Sequence, residues 1–292
     1  MKKVTIQVPA TSANLGAGFD SAGIAFALYN TFSFEKLDAG LQFENVDPRF
    51  ANENNLAYLA YRAVCDEIGV PATVKIRNEE TGVPVSRGLG SSATLLAAGA
   101  LAANILHENA LPAEKIFEIC NRLEGHPDNV APALYGGLCL SLLDGNTPIT
   151  VKYPVSEKLF FTAVIPNFEV STHEARGALP AEVPFGDAVF NLSRAALLSH
   201  AFTSGNGNLI SLVTKDALHE KYRKKLFRNV CDVEKAAYEE GALTFIISGA
   251  GSTCLCISEK PLADALNARI SALPNGWHAI DLCIDHEGAK AI

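Results

Sequence analysis

Apolar and polar positions alternate at the start of the chain. "VTIQVPA" (residues 4–10) has the two-residue period of a strand, and Pro9 is expected to end it. The period then lengthens. "NLAYLAYRAVCDEIG" puts Leu56, Leu59, Ala60, Ala63 and Val64 on one side of a helix that Gly69 should stop. "TVKIR" (73–77) reads as a short strand. Residues 91–106 are apolar nearly all round, which predicts a buried helix. In "LPAEKIFEICNRLEG", Pro112 suits a first helical turn, Ile116, Phe117, Cys120 and Leu123 form a stripe, and Gly125 suits the end. "GGLCLSLL" (136–143) predicts a strand, and "DGNTP" (144–148) is the strongest turn signal in the middle of the chain.

The pattern then restarts. "LFFTAVIP" (159–166) reads as a buried strand, followed by helical periods near 187–202, 207–219 and 230–240. "ALTFIIS" and "STCLCIS" read as two strands joined by "GAG", "KPLADALNARISAL" as a helix and "WHAIDLCI" as a last strand. Strands and helices mix in both halves without strict alternation. That predicts two α+β domains, 1–150 and 151–292.

Composition narrows the function classes. With 48% hydrophobic and 19% charged residues, the 292-residue chain is globular and long enough for a large core. A net charge of −8 argues against a nucleic-acid surface but leaves room for a small anion held by amides and a few arginines. Seven cysteines without framework spacing predict reduced thiols. Cys254 and Cys256, two apart in an apolar run, predict a buried strand face rather than a metal site. Met1-Lys2-Lys3 leads straight into alternating residues, and the apolar run at 93–106 is too short to span a bilayer. The expectation is a cytoplasmic protein without a targeting or membrane segment.

The chemistry concentrates in "VPVSRGLGSSATLLAAGALAANIL" (83–106). Glycines there let the backbone approach a ligand closely, and the helix that follows points free N–H groups at whatever lies in front. Read by itself, the stretch is either a glycine turn with a serine cap or an anion loop. A dinucleotide fingerprint of a dehydrogenase needs a strand ending in an acid about 20 residues on, and "HENALPAEK" is no strand end. The Gly-Lys-Ser/Thr ending of a Walker loop is missing. A phosphate loop that uses serines remains.

"VPVSRGLGSSAT" resembles the phosphate loop of the GHMP kinases, and two further signatures of that family are "PATSANLGAGFDSAG" (9–23) and "SGAGSTC" (248–254). "EGHPDNVAPALYGG" (124–137), "STHEARGALP" (171–180) and "HEKYR" (219–223) are similar to the family's homoserine kinase branch. The resemblance spans both ends of the chain. It implies a two-domain α+β fold, with an N-terminal ribosomal protein S5 domain 2-like unit and a C-terminal ferredoxin-like α/β sandwich. It also implies ATP and Mg²⁺ as cofactors, L-homoserine as substrate on the route to threonine, and a homodimer. The alternatives are another family kinase of mevalonate type or a non-catalytic metabolite-binding relative. Mevalonate carries no ammonium for Asp20 to meet, and a sensor could discard Ser92 and Glu124.

The resemblance assigns ATP binding to Pro84, Val85, Ser86, Arg87, Gly88, Leu89, Gly90, Ser91, Ser92, Ala93 and Thr94, with Asn54 and Asn55 near the base. Ser92 and Glu124 would hold the metal, with Glu118 a weaker rival for the acid. Asn14 and Asp20 would meet the substrate ammonium, Arg176 and Arg223 its carboxylate, and Asn129 its hydroxyl. Arg87 could touch a phosphate or face solvent, and the others have plainer uses: a helix cap for Asn54 and Asn55, a turn for Asn14, a cap for Asp20, a solvated helix end for Glu124, a surface loop charge for Arg176, and one more charge of the solvated basic stretch "HEKYRKKLFR" for Arg223. Asp128 is the candidate base by analogy with other family members. A loose transition state needs little deprotonation, which favours a structural role for Asp128 over that of a base. His126 is expected to shape its loop by a hydrogen bond, and Thr172 and His173 lie beside Arg176.

Overall fold

The computed structural model describes residues 2–292. The first half runs β1 (Lys3–Ala13), β2 (Ala22–Lys36), β3 (Leu41–Glu44), α1 (Leu56–Ile68), β4 (Val74–Thr81), α2 (Ser91–Leu106), α3 (Ala113–Glu124), α4 (Pro127–Tyr135), β5 (Leu138–Asp144) and β6 (Thr147–Tyr153). The second half runs β7 (Phe160–Ile165), α5 (Thr172–Gly177), α6 (Phe185–Ser204), α7 (Gly207–Val213), α8 (Glu220–Arg223) and α9 (Val230–Glu240). It closes with β8 (Ala242–Ile247), β9 (Cys254–Ser258), α10 (Ala263–Ile270), β10 (His278–Leu282) and β11 (Lys290–Ala291).

Two sheets result. One has seven strands in the order β11-β1-β2-β4-β3, with the β5–β6 hairpin joined to β2. The other is antiparallel, ordered β10-β7-β9-β8. The first sheet continues to Tyr153 and takes back the last strand of the chain, while the second starts at Phe160. Strand alternation explains the layering. Val4, Ile6 and Val8 of β1 face a core built with α1, α2, α3 and α4. Ile24 and Phe26 of β2 face the other way, into a core shared with Phe161, Ala163 and Ile165 of β7 and with Leu198 and Phe202 of α6. Val164, Phe245, Cys254 and Cys256 turn to a third core under α9 and α10. Both cysteines of that run therefore occupy the expected strand face, and all seven thiols are free. Among the described residues no helix is long and apolar enough to cross a membrane.

Several elements depart from the sequence pattern. β1 runs through Pro9 to Ala13, because a register shift between Pro9 and Ala10 absorbs the missing donor. The fifteen residues of β2 and the nine of α4 carry no period that marks them, and Pro132 sits inside α4. "DGNTP" is the tip of a hairpin whose second strand, β6, was not expected. The helix expected to reach 219 stops at Val213, where Thr214 bonds back to the Ile210 carbonyl and across to Thr244.

Two packing features lead to predictions. A Cβ on Gly99 would lie 2.0 Å from the Ala57 carbonyl oxygen, so α1 and α2 meet backbone to backbone. Gly99→Ala, normally favourable in a helix, should here destabilise the chain by about 2 kcal/mol, read by urea denaturation. Glu220 is buried, and its carboxylate accepts from Ile247 N at 2.8 Å, just before the 248–251 loop. Burial raises its pKa to about 7. The native state thus holds a proton there that the unfolded chain releases above its ordinary carboxylate value. The associated stability, up to about 3 kcal/mol, is present at low pH and is lost as pH rises through 7. Burial lowers His219 to about 4, which acts in the opposite sense, so the comparison must be with Glu220→Gln. The stability of the wild type relative to Glu220→Gln should fall between pH 5 and pH 8.

Candidate active site

The helix with the glycine-serine start, α2, opens on Gly90 in a left-handed conformation with no side-chain cap. Ser91 and Ser92 are the first residues inside the helix rather than its cap. The leading N–H groups of α2 therefore point outward without a side-chain partner, the arrangement that binds anions. Both glycines are required by close approach. A Cβ on Gly90 would fall 1.9 Å from Thr11 Oγ1, and one on Gly88 2.3 Å from the Ser248 carbonyl oxygen. The Ser248 contact joins the two halves of the chain: Ser248 Oγ donates to the Gly88 carbonyl at 2.5 Å and Thr253 N to the Arg87 carbonyl at 2.9 Å.

In front of this helix end lies a cavity. Gly88, Gly90, Ser91, Ser92 and Glu124 line it together with Asn14, Asp20, Arg176 and Arg223. His126, Asp128, Asn129, Thr172, Gly249 and Ala250 complete it. Glu124 ends α3 at the left-handed Gly125 and receives the Ser92 hydroxyl at 2.5 Å. Burial raises the Glu124 pKa, and the Ser92 bond works against that. These two oxygens form a hard donor pair beside the uncapped helix end, suited to Mg²⁺. Glu118 instead pairs with Lys115 at 3.0 Å.

At the start of α4, Asp128 is buried and its carboxylate is bonded to His126 Nδ1. Burial opposes charge on the ring, but Asp128, Glu124 and Asp20 outweigh it and raise the His126 pKa. The loop-shaping bond expected of His126 is thus made to Asp128. Asn129 accepts from Thr11 Oγ1 at 2.7 Å through Oδ1, which fixes its amide and leaves Nδ2 as the remaining donor.

Asp20 and Arg176 form a two-pronged pair, with Arg176 Nη2 and Nη1 at 2.7 and 3.1 Å from the carboxylate. Arg223 is no solvated charge. It is buried, donating to the Gly249 carbonyl at 3.0 Å, with His219 Nδ1 3.4 Å away. Burial and neighbouring Arg176 lower its pKa. Asn14, at positive φ, shapes its turn by accepting from Asp20 N at 3.0 Å and donating to the Gly249 carbonyl at 2.9 Å.

Other expected residues lie elsewhere. Leu89, Ala93 and Thr94 are buried in the protein, and Val85 is exposed. Pro84 and Ser86 flank the loop without lining the cavity. Arg87 is partly buried and does not line the cavity. Its guanidinium donates to the Pro166 and Asn167 carbonyls at 3.2 and 3.0 Å and pairs with Glu169, strapping the two halves together. Asn55 caps α1, with both ends of its amide in use, and Asn54 is exposed beside it. The contact of Ala57 with Gly99 sets them about two turns along α2 from the loop. His173 is exposed, whereas Thr172 lines the cavity. The sequence reading gave no role to Gly249, Ala250, Thr11 or Phe19, although the first two and the last two fall in the quoted signatures.

Comparison with known proteins agrees with this architecture. The family model for the GHMP kinases N terminal domain matches residues 55–137, and that for the GHMP kinases C terminal matches residues 191–275. The homoserine kinase of Clostridium beijerinckii is 40% identical over 293 residues, covering 99% of this chain and 98% of that relative. That of Clostridium botulinum is 40% identical over 288 residues, covering 98% and 97%. The crystal structure of homoserine kinase from Cytophaga hutchinsonii superposes with a TM-score of 0.90 at 27% identity, covering 100% of this chain and 98% of that one. Mevalonate diphosphate decarboxylase from Staphylococcus aureus, 16% identical with a TM-score of 0.74 and covering 100% and 98%, shares the fold. The chain belongs to the GHMP kinases, in their homoserine kinase branch.

Proposed function

We infer that this chain transfers the γ-phosphoryl group of ATP to the hydroxyl of L-homoserine, yielding ADP and O-phospho-L-homoserine for threonine synthesis. The observation that carries the reading is one cavity that brings an uncapped helix end and a hard oxygen pair together with a carboxylate and two guanidiniums, which this reading divides into two sides. The first side suits ATP phosphates. The amides from Gly88 to Ser92 would cradle them, and Ser92 and Glu124 would hold Mg²⁺. That ion, when bound, supplies neutralisation of the charge on the transferring group.

The second side suits an amino acid. In this reading the ammonium joins the Asp20 carboxylate, with the Asn14 turn holding that carboxylate in place. The carboxylate end meets Arg176 and Arg223, whose planar donors match it in pairs. Asn129 Nδ2 orients the hydroxyl oxygen toward the helix end. A loose transition state asks little of a base, and the bond between Asp128 and His126 supports a positioning role for Asp128.

Reduced cysteines and the biosynthetic reading support a cytoplasmic setting. A homodimer belongs to the same reading, supported by the surface of α6. There Phe185, Val189, Leu192 and Ala196 are exposed at steps of four, three and four residues. Asp187 and Arg194, the charges of α6, are engaged with Lys221 and the Phe190 carbonyl. In a chain of net charge −8, such an uncharged stripe can meet its own copy about a two-fold axis without repulsion.

Two experiments follow. ADP release should be rapid with L-homoserine and slow with L-threonine, L-serine and mevalonate. Glu124→Gln should then lower kcat about a hundredfold. Asp20→Asn should raise the KM for homoserine about tenfold or more and leave that for ATP within about twofold. Rapid turnover of mevalonate instead would overturn the substrate assignment. Light scattering should give twice the 31.0 kDa chain mass, and Leu192→Glu should return the single-chain mass with turnover retained.

A further inference from the structure

Phe19 has no expected role beyond its place in the first signature, and it does not line the cavity. Its ring is nonetheless where the two arginines of the substrate side converge. The guanidinium carbon of Arg223 lies 5.2 Å from the ring centroid and that of Arg176 lies 5.9 Å away. The His219 ring stacks on Phe19 at 5.0 Å with an interplanar angle of 28°. Phe19 also immediately precedes Asp20, the two-pronged partner of Arg176.

The physical problem at this place is repulsion. Two guanidiniums directed at one small carboxylate are like charges at short range in a partly desolvated site. Arg176 has the Asp20 carboxylate as partner. Among the described residues, buried Arg223 has no carboxylate within ion-pair distance: it donates to the carbonyls of Ala175 and Gly249 and lies against neutral His219. Nδ1 of His219 can accept from Arg223 because Nε2 faces the Gly16 carbonyl at 3.1 Å, fixing the proton on Nε2. Asp216 anchors this ring's backbone, receiving His219 N at 2.7 Å and Glu220 N at 2.8 Å. Asp20, Asp128 and Asp216 favour its charge without bonding to it; the group in direct contact that adds to them is the negative face of the Phe19 ring, and guanidiniums within about 6 Å of a ring centroid gain from it.

Resting on the homoserine reading above, we propose that Phe19 is a positioning residue whose ring holds Arg176 and Arg223 together for one substrate carboxylate. It acts through the arginines and touches no reacting atom. Its contribution is to substrate binding, not to phosphoryl transfer, and it depends on the charge of the carboxylate. A merely structural role would depend on ring size alone.

The test compares homoserine with its carboxamide, which keeps the ammonium and hydroxyl but loses the carboxylate charge. Wild-type turnover of homoserine is measured first, so failure of the substrate reading would be seen before any variant is made. Phe19 is then replaced by leucine, by tyrosine and by a ring-fluorinated phenylalanine that keeps the shape and strips negative charge from the face. The leucine and fluorinated variants should raise the KM for homoserine about five- to tenfold, with kcat and the KM for ATP little changed. For the carboxamide both should stay within about twofold of wild type, and tyrosine should behave as wild type. If the fluorinated protein matches wild type with homoserine, or if it loses homoserine and the carboxamide equally, the ring does not act through its face and the proposal falls. That variant decides the matter even where leucine impairs folding.

Discussion

Gly249 N donates to the Ala13 carbonyl at 3.1 Å, Thr253 N to that of Arg87 at 2.9 Å, and Ser248 Oγ to that of Gly88 at 2.5 Å. Through these bonds the glycine loop before α2 and the 248–253 loop, about 160 residues apart, lie backbone against backbone. The glycines make this possible, since side chains at 88 or 251 would collide with backbone or with Phe227. With that contact in place, the start of α2 faces residues from the far half of the chain, and Arg87 straps the outer side of the junction. The shared core behind it, built from β2, β7 and α6, fixes the angle at which the halves meet.

Charge is distributed to match. Phosphates and a substrate carboxylate would bring negative charge into a chain of net charge −8. The cavity answers locally, with oriented N–H groups and two guanidiniums among its lining. Its own carboxylates are each restrained: Glu124 by Ser92, Asp128 by His126, Asp20 by Arg176. A bare acid in this space would repel a phosphate. A paired one can define where an ammonium or a metal sits.

The chain's order of elements was legible wherever one local period dominated, as in α1, α3 and α9, or where a run was apolar all round, as in α2. β2 was not, because it faces a helical core at Phe32 and Phe34 and the shared core at Ile24 and Phe26, so its pattern changes along its length. Glu124 at its helix end, the uncommitted start of α2 and the convergence of Asp20, Arg176 and Arg223 were readable from motif context. The burial of Arg223 was not, since "HEKYRKKLFR" reads as a solvated basic stretch and only the packing of Phe19 and His219 removes it from water. Arg87 was misleading for a related reason. Its position beside the loop is local, whereas its partners lie about 80 residues away.

The central claim is that one cavity holds the phosphates at the start of α2 and an amino acid across the junction. A crystal structure of the chain with L-homoserine and a non-hydrolysable ATP analogue tests it most directly. The account predicts the γ-phosphate against the amides of residues 88–92, with the homoserine hydroxyl beside it at Asn129 and the homoserine carboxylate between Arg176 and Arg223. Phosphates bound away from α2, or a homoserine carboxylate bound away from both arginines, would contradict it.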